Sequence, residues 1–167
     1  MKLALELHHA GDLVVVAAVA FDEWDAAEPT KTYTSRCQRA AKATAGEPDL
    51  RDLACMLQLL REDGLAPDTL LINGFVHLDA QETAGLGWHL YLALGGRVAV
   101  IGVARSASPA LGAQYEVFRE ELARPLTVTC AGVDLGAAKT RLRAMHGKRR
   151  LPTLLKLAAR IAKAEAS

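Results

Sequence analysis

The sequence predicts one α/β domain on a mixed sheet, with antiparallel strands first, parallel strands after them, and helices on the flanks. Three observations carry this. Leu13–Phe21 is an unbroken apolar, β-branched run that follows an alternating stretch, Lys2–Leu7, as in a hairpin with a buried second strand. Two short apolar runs, Leu70–Ile72 and Val98–Val103, each follow a segment with helical character, as parallel strands joined by crossovers require. Finally, 167 residues at 51% apolar, 23% charged and 5% aromatic fit a single soluble globular domain, 1–167, with a full core.

In chain order, His8-His9-Ala10-Gly11-Asp12 carries turn chemistry between the first two strands, and Asp22–Pro29 is an acidic turn. Thr30–Ser35 alternates as a half-exposed edge strand should. After the polar segment Arg36–Gly46, Pro48 suits a first helical turn, and Leu50, Leu53, Ala54, Leu57 and Leu60 recur at helical spacing until Gly64. Thr83–Leu94 reads as a helix weakened by Gly85 and Gly87, with Gly95-Gly96 as its stop. Ala107–Ala113 reads as a loop, Tyr115–Leu122 as a short helix and Leu126–Cys130 as a strand; Leu135–His146 and Thr153–Ala164 are closing helices around the turn Gly147–Pro152. The order β-β-β-α-β-α-β followed by helices is that of a ribonuclease-H-like mixed sheet.

Several classes are excluded or disfavoured. The longest apolar run falls far below the roughly 20 residues of a membrane-spanning helix, and the first residues lack a basic-then-apolar export signal, so a cytoplasmic location is expected. Cys37, Cys55 and Cys130 are odd in number and have no C-x-x-C pair, which predicts reduced thiols rather than a disulfide or zinc framework. His8-His9 cannot both face one metal on a strand, and Gly85-x-Gly87 lacks the rest of a dinucleotide fingerprint and reads as close helix packing. Ser106, Ser108 and Cys130 have no evident base partner for nucleophilic catalysis.

Net charge is only +1, but it is unevenly spread. Residues 1–138 carry 11 Lys/Arg against 18 Asp/Glu, while residues 139–167 carry nine against one. A basic end of this kind, including Lys148, Arg149 and Arg150, can neutralise phosphates, and it can equally be a solvated face packed on an acidic body.

Leu70–Gly74, Gly85–Leu90, Ile101–Ser106, and Arg150–Pro152 with Leu157-Ala158 are four segments that, in register along this strand order, together resemble endonuclease V, the metal-dependent nuclease family that acts next to deoxyinosine or inosine. Leu70–Gly74 is similar to that family's apolar strand ending in Asp-Gly, Gly85-Leu86-Gly87-Trp88-His89-Leu90 to G-L-A-S-H-L, and Ile101–Ser106 to I-G-V-A-K-S. Arg150-Leu151-Pro152 and Leu157-Ala158 resemble the R-L-P-E-P-x-R-x-A-D/H segment near its end. The resemblance implies a site in which carboxylates from adjacent strand ends and a helix hold Mg²⁺, which activates water and steadies charge on the scissile phosphate.

Judged residue by residue, that site is altered. Glu6 falls where the family has its first aspartate and keeps the charge on a longer arm. Leu50-Arg51-Asp52 falls on the family's F-R-E, so Asp52 keeps the charge on a shorter one. Asn73 replaces the strand-end aspartate, and Ala159 stands where the family has His or Asp. The resemblance thus leaves Glu6 and Asp52 as metal ligands and Asn73 as an uncharged third position, with Asp79, His77 or Asp134 as conceivable substitutes. Glu6 and Asp52 are also readable as an exposed strand end and a helix-surface charge paired with Arg51 or its neighbours.

The substrate-reading parts differ too. Lys42–Gly46 falls on the family's P-Y-I-P-G wedge, and Ala43 offers no aromatic face to stack. Trp24 and Tyr33 read as ordinary packing. His77-Leu78-Asp79 replaces a basic H-P-R, whereas Arg105, in place of a lysine, keeps a positive group for a phosphate. Three readings follow: a DNA- or RNA-binding relative of endonuclease V with cleavage weakened or lost, an active Mg-dependent endonuclease with exchanged carboxylates, and a protein-interaction module using the basic C-terminal face.

Overall fold

A computed structural model describes residues 1–42 and 44–167. Among these residues the chain forms seven strands and four α-helices: β1 Lys2–Ala10, β2 Leu13–Phe21, β3 Lys31–Gln38, α1 Leu53–Glu62, β4 Thr69–Ile72, α2 Leu86–Ala93, β5 Ala99–Ala104, β6 Glu116–Val117, β7 Leu126–Ala131, α3 Leu135–Ala144 and α4 Thr153–Ala166. They build one sheet in the order β3-β2-β1-β4-β5-β7-β6. The first three strands are antiparallel, β1, β4 and β5 run parallel, and β7 returns antiparallel to β5. This is the ribonuclease-H-like arrangement expected from the element order.

The sheet divides the core by strand alternation. Leu3 and Leu5 of β1 join Val14, Val16, Leu59, Ile72 and Leu90 on the face covered by α1 and α2. Ala4 joins Val19, Phe21, Ile101, Val103, Leu142 and Leu154 on the face covered by α3 and α4. β2 is buried on both faces from Val14 to Phe21, which explains its unbroken apolar run. Trp24 packs edge-on against Phe21, with Lys2 and Arg141 over its ring, and Tyr33 is partly buried against the core; both are packing residues, as expected.

Four sequence expectations need correction. β1 continues through His8 and His9 to Ala10, because each pairs with an apolar residue of β2; only Gly11 and Asp12 turn, Gly11 at φ +63°. α1 begins at Leu53, and Pro48 stays in the preceding loop, since Asp49 and Asp52 are drawn into ion pairs described below. α2 begins only at Leu86, because Ala84 bridges His77 in a closed turn. Tyr115–Leu122 is not a helix: a single 3-10 turn leads into β6 and then a loop in which Leu122 takes φ +66°. Gly95 and Gly96 end α2 as expected, both at positive φ.

The cysteines also differ from expectation. Cys37, near the end of β3, and Cys55, in the first turn of α1, form a disulfide with Cα atoms 5.5 Å apart, and Cys130 remains a thiol. No local motif announces this pair, which arises because α1 packs across β3. No described helix is long and apolar enough to cross a membrane.

Candidate functional site

Leu5, Ile72 and Gly102 lie in register across β1, β4 and β5, and β4 ends there while β1 and β5 run on. Residues just beyond that line, Glu6, Asn73 and Arg105, therefore meet at one rim of the sheet, where ligands collect in open α/β folds. The Glu6 side chain is only 8% exposed. Arg105 Nη1 donates to its Oε1 at 2.8 Å and Nη2 to its Oε2 at 2.9 Å, a two-pronged pair, while Asn73 Nδ2 donates to Oε1 at 2.9 Å. Arg105 is fixed from behind, because its own carbonyl accepts from Arg150. Its Nε is buried with no partner among the described residues.

Asp52 is engaged separately. His9 Nε2 lies 3.0 Å from both of its oxygens, and Arg39 Nε donates to Oδ1 at 3.1 Å. Arg51 turns away to hold Asp49 with two bonds, and its guanidinium keeps that carboxyl well below the usual carboxylate range. Glu6, His9, Asp52 and Asn73 share a cavity of about 200 Å³ at the strand ends. The family resemblance thus pointed to both carboxylates that line this cavity but not to their partners. His9 was hidden by its reading as a turn residue, and Arg39 had no local signal.

The conceivable substitutes do not reach this cluster. Asp79 is held low by side-chain and backbone hydrogen bonds from Thr83 within its own turn. His77 leans on Trp88 with ring centroids 5.6 Å apart. Asp134 caps α3 by accepting from Ala137, at the end of β7 that points away from the rim. Ala159 sits half-buried on α4 with no ligating atom. Among the described residues no three His, Cys, Asp or Glu side chains gather in a way that could hold a metal ion. Magnesium demands near-octahedral geometry and is usually held by one or two free carboxylates beside its waters, whereas both oxygens of Glu6 already face a guanidinium and Asp52 is engaged by His9 and Arg39. The residues present do not fit the Mg²⁺ that the family resemblance implied.

The rim loop after β4 depends on glycine. A Cβ on Gly102 would lie 2.5 Å from the Gly74 carbonyl oxygen and 2.9 Å from Thr129 Oγ1. The same Thr129 hydroxyl accepts from the Val76 amide at 2.8 Å, fixing the loop that carries Asn73. Gly102→Ala should therefore destabilise the protein by about 2 kcal/mol, because backbone must move to admit the methyl; an unchanged denaturation midpoint would contradict this. Gly85 and Gly87 are confirmed as close-packing positions, with Cβ atoms at 2.5 Å from the Phe75 carbonyl oxygen and 2.7 Å from Val76 Cγ2. Beside this loop lies a largely apolar cavity of about 350 Å³, walled by Pro48, Leu50, Phe75, Leu78, Gly85 and Leu86. Ala43, the expected wedge position, lies outside the described residues; its neighbours Lys42 and Thr44 are exposed.

The three basic turn residues have different roles. Lys148 is exposed. Arg149 is 74% exposed and pairs with Glu120 at 3.0 Å, whereas Arg150 turns inward and donates to the carbonyls of Arg105, Arg124 and Pro125. Sequence reasoning missed Arg119, whose guanidinium donates to the carbonyls of Met145, Gly147 and Arg149 and so sets the shape of the turn. Its residue type offered no clue, because the acceptors are main-chain atoms some 26 to 30 residues away. Burial, with the nearby charge of Asp134, pushes the Cys130 thiol up to about 11, so it is protonated at neutral pH and unsuited to nucleophilic work.

No protein-family model and no curated protein matches this sequence. Solved structures do match. Endonuclease V of Ciona intestinalis, in complex with a 23mer DNA containing an inosine followed by a ribo-adenosine, aligns with a TM-score of 0.78 at 15% identity, covering 99% of this chain and 84% of that one. Endonuclease V of Streptomyces avermitilis aligns at 0.76 and 22% identity, over 98% of this chain and 80% of that one. The catalytic domain of human endonuclease V aligns at 0.72 and 19% identity, over 98% and 81%. At such identities the likeness establishes the fold: this chain has the architecture of endonuclease V from end to end.

Proposed function

We propose that this protein binds nucleic acid on an endonuclease-V scaffold in which metal-dependent phosphodiester cleavage is weakened or lost. One observation carries the reading: neither rim carboxylate has an oxygen without a cationic or hydrogen-bonding partner, Glu6 being closed by Arg105 and Asn73 and Asp52 by His9 and Arg39. The binding half is supported by the basic C-terminal segment, by a cavity beside the rim large enough for a base turned out of its stack, and by a fold shared with a structure solved on inosine-containing DNA. Lys148 and Arg149 supply the outer cationic contact, since the exposed bridge of Arg149 to Glu120 is weak and can be exchanged for a phosphate.

Binding of this kind falls linearly with salt on logarithmic axes. Replacing Lys148 and Arg149 by glutamine should lower that slope by about 0.9 for each lost phosphate contact to duplex DNA. Affinity that ignores salt would remove nucleic acid as the partner, and a slope unchanged by the substitutions would remove Lys148 and Arg149 as its phosphate contacts. The cleavage half is tested with inosine-containing DNA and RNA in Mg²⁺ or Mn²⁺. No cutting dependent on Asp52 is expected, and turnover abolished by Asp52→Ala would establish the active reading instead.

A further inference from the structure

We propose that Arg105 is the resident cation of the rim site, its guanidinium standing where a divalent ion would otherwise join Glu6 of β1 to the residue that follows β4, and that Arg105 and Asn73 form a matched pair which together exclude a metal. The inference rests on the functional reading above and concerns how the site came to be closed. Carboxylates at two neighbouring strand ends repel one another unless a cation lies between them. In this chain one carboxylate remains, and one guanidinium meets it: Glu6 and Arg105 cancel in charge, and neutral Asn73 completes the ring by donating to Glu6 Oε1 at 2.9 Å.

The geometry favours arginine for this task. Both Glu6 oxygens are satisfied at 2.8 and 2.9 Å by the two terminal nitrogens of one planar group, which a single ammonium could not match. The arginine backbone is held in turn by the inward-facing Arg150. A divalent ion entering here would have to displace a guanidinium that holds both Glu6 oxygens from a fixed backbone, and then share the rim with its charge.

Neither substitution alone should therefore reopen the site. Asn73→Asp adds a carboxylate that the same guanidinium can also pair, and Arg105→Ala frees only Glu6, with a neutral amide beside it and Asp52 still engaged by His9 and Arg39, a weak hold on an octahedral ion. The double substitution Asn73→Asp/Arg105→Ala gives two adjacent carboxylates with no resident cation. Titration of Mn²⁺ by calorimetry, with melting temperature read with and without Mn²⁺, tests this. The wild type and each single variant should show no saturable site that depends on Glu6. The double variant should bind one Mn²⁺ at least about tenfold more tightly than either single variant, melt higher when the ion is present, and lose both effects when Glu6→Gln is added. Should the alanine double variant fail to fold without metal, Asn73→Asp/Arg105→Gln retains an uncharged donor to Glu6 and serves the same comparison. A folded double variant that binds Mn²⁺ no better than the single ones overturns the inference while leaving the proposed function standing. Stoichiometric Mn²⁺ binding by the wild type, removed by Glu6→Gln, overturns it as well, and inosine-directed cutting by that metal-loaded protein would take the proposed function with it.

Discussion

Arg105→Met should lower the stability of the protein by about 2–4 kcal/mol near neutral pH, because it leaves the carboxylate of Glu6 buried with one amide donor in place of three hydrogen bonds. Removing one member of a fully buried pair typically costs more than the pair itself is worth. Here the Arg105 side chain is 27% exposed, so water can partly replace it and the lower part of that range applies. Most of the loss comes from the orphaned charge. Adding Glu6→Gln to Arg105→Met should therefore recover a large share of it, since a neutral amide can still exchange hydrogen bonds with Asn73. Chemical denaturation of the four proteins of this double-mutant cycle measures both effects. A single-variant loss under about 1 kcal/mol would show that the pair is an ordinary surface bridge.

The parts of the fold legible in the sequence were those fixed by local pattern. The buried β2 followed from an apolar run that no other element accommodates, and the parallel strands followed from apolar runs separated by helical spacing. What escaped was set by partners distant in the chain. His8 and His9 look like turn residues, yet β2 continues opposite them, and pairing rather than propensity decides where β1 ends. Tyr115–Leu122 has helical composition, yet Arg119 and Glu120 are drawn into contacts with residues 145–150 and the helix gives way.

The site divides along the same line. Asn73 and Arg105 were placed at strand ends because the end of an apolar run marks the rim, and Glu6 was placed with them by the family resemblance. That Arg105 reaches back across β4 to clasp Glu6, 99 residues away, depends on strand order and side-chain reach, which spacing does not encode. Arg150 shows the opposite error: counted among phosphate-binding cations by its company in sequence, it points inward to main-chain carbonyls. Charge composition located the basic segment but could not sort its solvent-facing cations from its structural ones.

Loss of the Cys37–Cys55 disulfide is the other change expected to act strongly. The bond closes a loop between positions 18 apart, for which chain entropy gives a contribution of about 3 kcal/mol. In a domain of this size that corresponds to a fall of about 6–12 °C in melting temperature. Cys37→Ala/Cys55→Ala should show this loss, since alanine leaves no buried hydroxyl unsatisfied. Thiol labelling in denaturant gives an independent check: one cysteine, Cys130, should react without reductant and all three after reduction. Three reactive thiols before reduction would show that the bond does not form. Both sulfurs belong to buried residues, so reduction of the native protein should be slow and should track unfolding. The enclosed segment carries Arg39 and Asp52, and its Pro48 and Leu50 wall the cavity beside the rim. The alanine variant should therefore exchange amide hydrogens faster over residues 44–52 than over β4 or β5. Equal acceleration everywhere would make the disulfide a global stabiliser, whereas acceleration confined to this segment would make it the brace that holds one wall of the candidate binding cavity against the sheet.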